Sequence, residues 1–103
     1  MSTYASGKPY VVPGRLDVLV GPSEGRVRLP RHIDWGPEHA YDLGDVGDAA
    51  VMYERVIREA QSERDLAELL DARTLRRLWP RLVLPARARE LWEARFPELV
   101  DPA

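Results

Sequence analysis

The chain has 103 residues, a formal net charge of −2, 45% hydrophobic residues and 31% charged residues. These values are typical of one folded domain, and the slightly acidic balance argues against a generic nucleic-acid binder, whose surface is usually strongly basic. The chain contains no cysteine, which excludes a disulfide framework, a thiolate zinc site and a cysteine nucleophile.

The N-terminus is small and polar, and we expect residues 1–9 to form a disordered tail and residues 10–103 to form a single domain. This start lacks the apolar region of a signal peptide, and no apolar run approaches the ~20 residues that span a bilayer. We therefore expect a cytoplasmic protein that has no membrane partner.

Two segments near the N-terminus have the alternating pattern of β-strands. Leu16, Val18 and Val20 fall on one face of the first segment, and residues 26–29 alternate in the same way. The loop between them begins and ends with glycine, as hairpin loops often do. The pattern predicts a β-hairpin at residues 15–29.

The next two elements are a short strand and a helix. Residues 40–43 alternate weakly and could form a third strand. Residues 45–60 have the helical period, with Tyr53 and Val56 on the apolar face, and they predict an amphipathic helix.

A second helix begins at Ser62, which starts a capping-box pattern. At about 100° per residue, Leu66 and Leu70 point to one side, whereas Trp79 points about 180° away. A straight helix would carry apolar residues on opposite sides, so the pattern predicts a break at residues 71–74. The alternative is a single helix that is buried on both faces.

Two prolines delimit the last helix. Pro80 ends the preceding helix and Pro85 suits a first turn, after which the apolar residues keep helical spacing. We expect an α+β fold in which a small N-terminal antiparallel β-hairpin or sheet packs on three to four short C-terminal helices. The predicted core residues are Leu16, Val18, Val27, Tyr53, Val56, Leu66, Leu70, Trp79, Leu91, Trp92 and Phe96.

Acidic and basic residues are segregated along the chain. Residues 34–71 hold eleven acids and three arginines, whereas residues 73–95 hold seven arginines and two acids. Guanidinium groups suit carboxylates and phosphates, so one arginine cluster is the candidate partner-binding site. We expect it to serve protein docking or internal pairing, because neighbouring acids disfavour nucleic acid. The cluster consists of Arg73, Arg76, Arg77 and Arg81.

Candidate sites for catalysis or metal binding are few. His32, Asp34 and His39 are the one group that could converge on a metal, but their spacing matches no metal motif. The sequence has no Gly-x-Ser-x-Gly, P-loop or dinucleotide fingerprint. We expect no metal, no cofactor and no catalytic residues.

One short stretch resembles a known family. Residues 25–33, followed by residues 41–43, are similar to the Gly-Arg-Val-x-Ile-Pro strand opening of AbrB-type DNA-binding domains in bacterial regulators and antitoxins. The resemblance implies DNA binding through the N-terminal strands. It covers a small part of the chain, and residues 36–38 replace the family's Gly-Asp turn, so we do not assign the family.

By elimination, the sequence favours a non-catalytic protein-interaction module: an adaptor, inhibitor or antitoxin-like partner of another bacterial protein. The partner would be a protein encoded nearby or a second copy of this chain. One alternative is a DNA- or RNA-binding transcriptional regulator that uses the arginine cluster or the N-terminal hairpin. The other is a small metal-dependent enzyme.

Overall fold

The computed structural model describes residues 9–100, so the predicted tail, except for Pro9, lies outside the described residues. Within this range two strands precede four helices. The strands are β1 (Arg26–Arg28) and β2 (Ala40–Asp42), and the helices are α1 (Val46–Glu59), α2 (Glu63–Leu69), α3 (Ala72–Leu78) and α4 (Ala86–Arg95). The strands form an antiparallel sheet, which confirms the predicted α+β class with a small N-terminal sheet followed by helices.

The predicted hairpin at residues 15–29 is wrong. β1 pairs with β2, with Val27 opposite Tyr41, so the strand predicted at 40–43 is the true partner. The first predicted strand is instead a 3-10 turn at Leu16–Val18. A 3-10 turn repeats every three residues, and its buried side chains are Leu16 and Leu19 rather than an alternating set.

The segment around Val20 has a different partner, the junction between α2 and α3. The Val20 N–H donates to the Ala67 carbonyl at 3.0 Å, and the Gly21 N–H donates to the Leu70 carbonyl at 2.8 Å. The last carbonyl groups of a helix have no N–H partner within that helix, so they need donors from elsewhere in the chain. Donation to these carbonyls favours the position of the Val20 segment beside α2 over pairing with β1.

The predicted break between the second and third helices is present, but it lies at Leu70 and Asp71, so it begins one residue before the predicted window of 71–74 and overlaps it only at Asp71. Both residues have extended backbone angles, and the Asp71 side chain caps α3 by accepting from the Thr74 N–H. The Ser62 hydroxyl caps α2 in the predicted way, by accepting from the Asp65 N–H at 3.3 Å. Two caps of this type start two separate helices.

Most of the predicted core residues are buried, including Trp79 and Trp92. Val18, Val27 and Leu91 are half-buried. The buried core also includes residues outside that set, among them Ile33 and Met52, both fully buried. Across residues 9–100, no helix has the length and apolar character that are needed to span a bilayer.

Candidate functional site

The geometry of α3 determines where its arginines point. The Asp71 carboxylate accepts from the N–H and the hydroxyl of Thr74 at 3.0 and 2.8 Å, and the Asp71 N–H donates to the Tyr53 hydroxyl at 2.9 Å. These bonds hold the start of α3 against α1. The buried side of α3 carries Thr74, Leu75 and Leu78, so its arginines are left on the outer side.

We call Arg73, Arg76, Arg77 and Arg81 the arginine face. All four residues are exposed. Within residues 9–100, none of their guanidinium groups has a hydrogen bond, an ion pair or an aromatic contact, whereas Arg89 pairs with Glu93 at 3.2 Å and Arg95 donates to the Pro13 carbonyl at 3.3 Å. The sequence analysis allowed these arginines to pair with acids of the same chain, and no such ion pair is present within residues 9–100.

A favourable interaction with the helix dipole explains only some of the arginines in α3. Arg76 and Arg77 lie in the last turn, where a positive charge interacts favourably with the helix dipole. Arg73 lies near the start, where the same interaction is unfavourable. Like charges three and four residues apart on a helix also destabilise it by about 0.2–0.5 kcal/mol per pair. The arginine face therefore has an electrostatic cost that no ion pair within residues 9–100 offsets.

A depression of about 710 Å³ runs between α3 and the segment 16–23, and we call it the arginine groove. Arg73, Arg76 and Arg77 line it, together with Leu16 and Leu19, which are buried and present little surface there. Its other lining residues are Asp17, Ser23, Asp71, Ala72 and Thr74. Both carboxylates already have partners, because Asp17 pairs with Arg15 and Asp71 caps α3. The donors to Asp71 are neutral and leave its charge in place, so the charges of the lining that have no ion pair within residues 9–100 are three guanidinium groups and one carboxylate.

The acids of residues 34–71 have a different role from the arginines. Eight of the eleven accept a hydrogen bond from a backbone N–H group. They are Asp34, Asp42, Asp45, Asp48, Glu54, Glu63, Asp65 and Asp71. Some of these bonds are long-range, since Glu63 accepts from Gly14 at 2.8 Å and Glu54 accepts from Val83 at 2.8 Å. The acidic residues thus stabilise loops and helix ends.

The predicted packing of acidic beside basic elements occurs in part. α1 and α3 are in contact, and Tyr53 of α1 is bonded to Asp71 at the start of α3. No ion pair joins these two helices within the described residues. The acidic helix is close to the arginine face but does not neutralise it by direct contact.

The three residues of the candidate metal site are held by other groups. His32 Nε2 lies 2.9 Å from Asp65 Oδ1, whereas His39 packs edge-on against the Tyr41 ring at 4.4 Å. Asp34 accepts from the Tyr41 hydroxyl at 2.8 Å. Among residues 9–100, no set of three or more potential ligands is placed to hold a metal ion.

The carboxyl groups of Asp34 and Asp65 have pKa values below the usual range. The hydrogen bond from the Tyr41 hydroxyl lowers the pKa of Asp34, and it outweighs the opposing effect of burial. Burial raises the pKa of Asp65. The hydrogen bond from the Gln61 N–H and the hydrogen bond and charge of His32 act in the opposite direction, and the net effect is a lowered pKa. Folding therefore favours the ionised form of both groups.

This preference predicts a loss of stability in acid. A lowered folded-state pKa gives stability that is complete above the unfolded-state pKa of about 4 and is lost as the pH falls through the folded-state value. Tyr41→Phe removes the donor to Asp34, so the free energy of unfolding should fall less steeply between about pH 5 and 3 than in the parent protein. Urea unfolding at several pH values measures this slope.

Asp34→Asn supplies the control for this prediction. It removes the titrating group itself, so it should flatten the slope in the same way, and the double variant should add nothing to either change. A Tyr41→Phe variant that keeps the parent slope would show that the hydrogen bond does not set the pKa of Asp34.

One exposed aromatic residue could not be recognised from the sequence pattern. Trp35 is 58% exposed, and the Arg55 guanidinium lies 5.5 Å from the centre of its ring. Residues 31–39 have no helical or strand period, so no pattern could separate this tryptophan from the two in the core. Trp35 does not line the arginine groove.

Comparison of the chain with protein-family models, with curated proteins and with solved structures finds no match.

Proposed function

We propose that this protein is a non-catalytic interaction module that docks through the arginine face on an acidic surface of another protein. One observation carries the proposal: four exposed arginines without a hydrogen bond or ion pair in residues 9–100 lie close together along α3 and the turn that follows it, whereas the neighbouring acids accept hydrogen bonds inside the fold. A charge cluster that lowers the stability of its own helix and has no internal partner is typical of a functional surface. Arginine is also enriched at the centres of protein interfaces.

The composition of the groove supports a protein partner over a nucleic acid. The lining carries the carboxylates of Asp17 and Asp71 beside the arginines, and a phosphate chain with a charge on every residue cannot avoid them, whereas a protein segment can place its acids opposite the arginines alone. The groove lining also contains no aromatic residue on which an unpaired base could stack.

A DNA- or RNA-binding regulator is the second candidate, because four unpaired guanidinium groups also suit phosphates. The corrected strand pairing removes the 15–29 hairpin that this candidate could have used. Its remaining surfaces would be the sheet of β1 and β2 and the arginine face.

The proposal is tested by measuring the binding of poly-L-glutamate, random duplex DNA and single-stranded RNA over a range of salt concentrations. We expect poly-L-glutamate to bind at low salt and to bind more than about tenfold more weakly in a variant in which the arginine face is changed to glutamine. A matched variant changes four other arginines that have no hydrogen bond or ion pair within residues 9–100, which keeps the net charge equal, and should bind as the parent does. Those four are Arg26, Arg31, Arg58 and Arg87.

Tighter binding to duplex DNA than to poly-L-glutamate would contradict the proposal. Four neutralised phosphates give a log–log salt slope of about −3.6 on duplex DNA. A slope of that size, lost in the arginine-face variant and kept in the matched variant, would establish the regulator instead. Light scattering that gives twice the monomer mass at low salt, again only with the arginine face intact, would identify a second copy of the chain as the partner.

A further inference from the structure

We infer that the outer face of α1 pairs with the same face of a second copy of this chain, in an antiparallel dimer about a two-fold axis. At about 100° per residue, five residues of α1 lie within about 60° of the direction of Val51, and the buried residues of α1 all lie at least about 100° away from it. We call the five the α1 face: Asp48, Val51, Glu54, Arg55 and Arg58. This surface shares no residue with the arginine face, so the dimer goes beyond the proposed docking function.

Two exposed apolar side chains flank Val51, which is itself 50% exposed. Trp35 lies against the guanidinium of Arg55 on one side, and the N–H of Val83 donates to Glu54 at 2.8 Å on the other. Helical side chains lean toward the N-terminus, so both contacts lie over the turn that carries Val51. Three of the six exposed large hydrophobic residues within residues 9–100 therefore form one patch, as is typical of protein interaction sites.

Asp34 holds Trp35 in its exposed position. The Asp34 carboxylate accepts from the Gly36 N–H at 3.2 Å and from the hydroxyl of the buried Tyr41 at 2.8 Å. These bonds fix the backbone on both sides of Trp35 and attach it to the core. An ordered tryptophan loses little conformational entropy on binding and is a frequent anchor of protein interfaces.

The charges of the α1 face favour a second copy as the partner and determine its direction. Along the helix both acids, Asp48 and Glu54, precede both arginines, Arg55 and Arg58. An antiparallel pair with its axis close to Glu54 and Arg55 therefore places the acids of each copy near the arginines of the other. A parallel pair would place each acid level with the same acid of the second copy, and like charges repel.

These charges are available for contact between copies. Both acids accept from backbone N–H groups, which are neutral donors and leave the carboxylate charges in place. His39 Nε2 lies 3.9 Å from Asp48, close to the upper limit for an ion pair. Within residues 9–100, neither Arg55 nor Arg58 forms an ion pair. The fold therefore leaves both signs of charge on the α1 face for a second copy.

The arginine face lies on the other side of α1. Tyr53 is about 200° around the helix from Val51, and its hydroxyl accepts from the Asp71 N–H at 2.9 Å, at the start of α3. Pairing through the α1 face leaves the arginine faces of both copies exposed. A partner with two acidic sites would then bind the dimer more tightly than it binds one copy.

Sedimentation equilibrium of the full chain between about 1 µM and 1 mM tests the dimer, and the mean mass should rise toward twice the monomer mass. Val51→Arg removes the central apolar side chain and adds a charge near the arginines of the second copy, so it should weaken the dimer more than about tenfold. Val20→Arg is the matched control, because Val20 is 75% exposed and pairs with Asp71, on the Tyr53 side of α1. It should weaken the dimer less than about twofold, and thermal melts check that both variants fold.

The arrangement of charge has its own test. Arg58→Glu places an acid near the acids of the second copy and should weaken the dimer about threefold or more. Arg87→Glu makes the same change at an exposed residue of α4 and should leave the dimer unchanged. Equal effects of the two variants would overturn the antiparallel arrangement.

Trp35 provides a second readout. The chain has three tryptophans, and two of them, Trp79 and Trp92, are buried. In an NMR dilution series the indole N–H signal of Trp35, assigned with Trp35→Ala, should shift as the dimer forms. The signals of the two buried tryptophans should shift much less, because their rings lie away from the contact.

The outcomes separate the dimer from the proposed function. A monomer mass up to about 1 mM, equal effects of Val51→Arg and Val20→Arg, or an unchanged Trp35 signal would each overturn the inference. The variant with the arginine face changed to glutamine should form the dimer as the parent does, and loss of the dimer in that variant would also overturn it. A dimer that does not bind poly-L-glutamate would contradict the docking function alone, and a monomer that binds it would contradict the dimer alone.

Discussion

Trp92→Ala should lower the free energy of unfolding by about 3–5 kcal/mol, enough to unfold much of a marginally stable domain. The Trp92 side chain is fully buried, and its ring lies 6.1 Å from the rings of both Trp79 and Phe96. Truncation to alanine removes this contact area and leaves a cavity that the surrounding helices can fill only in part. Urea or thermal unfolding followed by circular dichroism measures the loss.

The three tryptophans provide a matched set for this experiment. Trp79→Ala should have a comparable effect, because Trp79 is also buried and its Nε1 donates to Glu93 at 2.9 Å. Trp35→Ala makes the same chemical change at an exposed residue and should alter stability by no more than about 0.5 kcal/mol. If the Trp92 and Trp35 variants melt at the same temperature, Trp92 does not anchor the core.

Gly21→Ala should be the most damaging of the small substitutions. A Cβ at Gly21 would lie 2.7 Å from both the Glu68 carbonyl oxygen and the Leu69 carbonyl carbon, and 2.8 Å from the Leu70 nitrogen. All three are backbone atoms at the end of α2, so no side-chain rotation can relieve the contact. Either the segment or the helix end must move, which would weaken the hydrogen bond from the Gly21 N–H to the Leu70 carbonyl.

We expect this change to lower the free energy of unfolding by about 2–3 kcal/mol, at the upper end of the usual cost of overpacking. Gly14→Ala is the control, because its Cβ would lie an ordinary 3.8 Å from Glu63 Oε2, and it should be close to neutral. Unfolding in urea distinguishes the two variants. Similar stabilities for both would mean that the junction of α2 and α3 does not hold the Gly21 backbone closely.

The elements that could be predicted from the sequence are those determined by residues close together in the chain. α1 follows from the period of its apolar residues and from Asp45, whose side chain caps it. The break between α2 and α3 follows from the change of phase between Leu70 and Leu75, since one straight helix cannot bury both sides equally. The exposure of Arg73, Arg76 and Arg77 follows from the same helical spacing.

Strand pairing depends on residues far apart in the chain, and the local pattern predicted the wrong partner. Residues 16–20 alternate well enough for a strand, but the N–H groups of Val20 and Gly21 donate to carbonyls about fifty residues away, at the end of α2. β1 therefore pairs with β2, which the buried Tyr41 attaches to the core. Alternation within five residues carries no information on which of these pairings satisfies more backbone groups.

The candidate site divides in the same way. The sequence by itself determined that this protein has an arginine-rich helical side and a separate acidic segment, because both depend on composition and local spacing alone. Only the tertiary structure decided that the acids bind distant backbone N–H groups, as Glu63 does with Gly14 and Glu54 with Val83, and that the arginines have no partner in the described part of the chain. The physical reason is that a carboxylate accepts from whichever donor the fold leaves unsatisfied, and that donor is known only when the chain is folded.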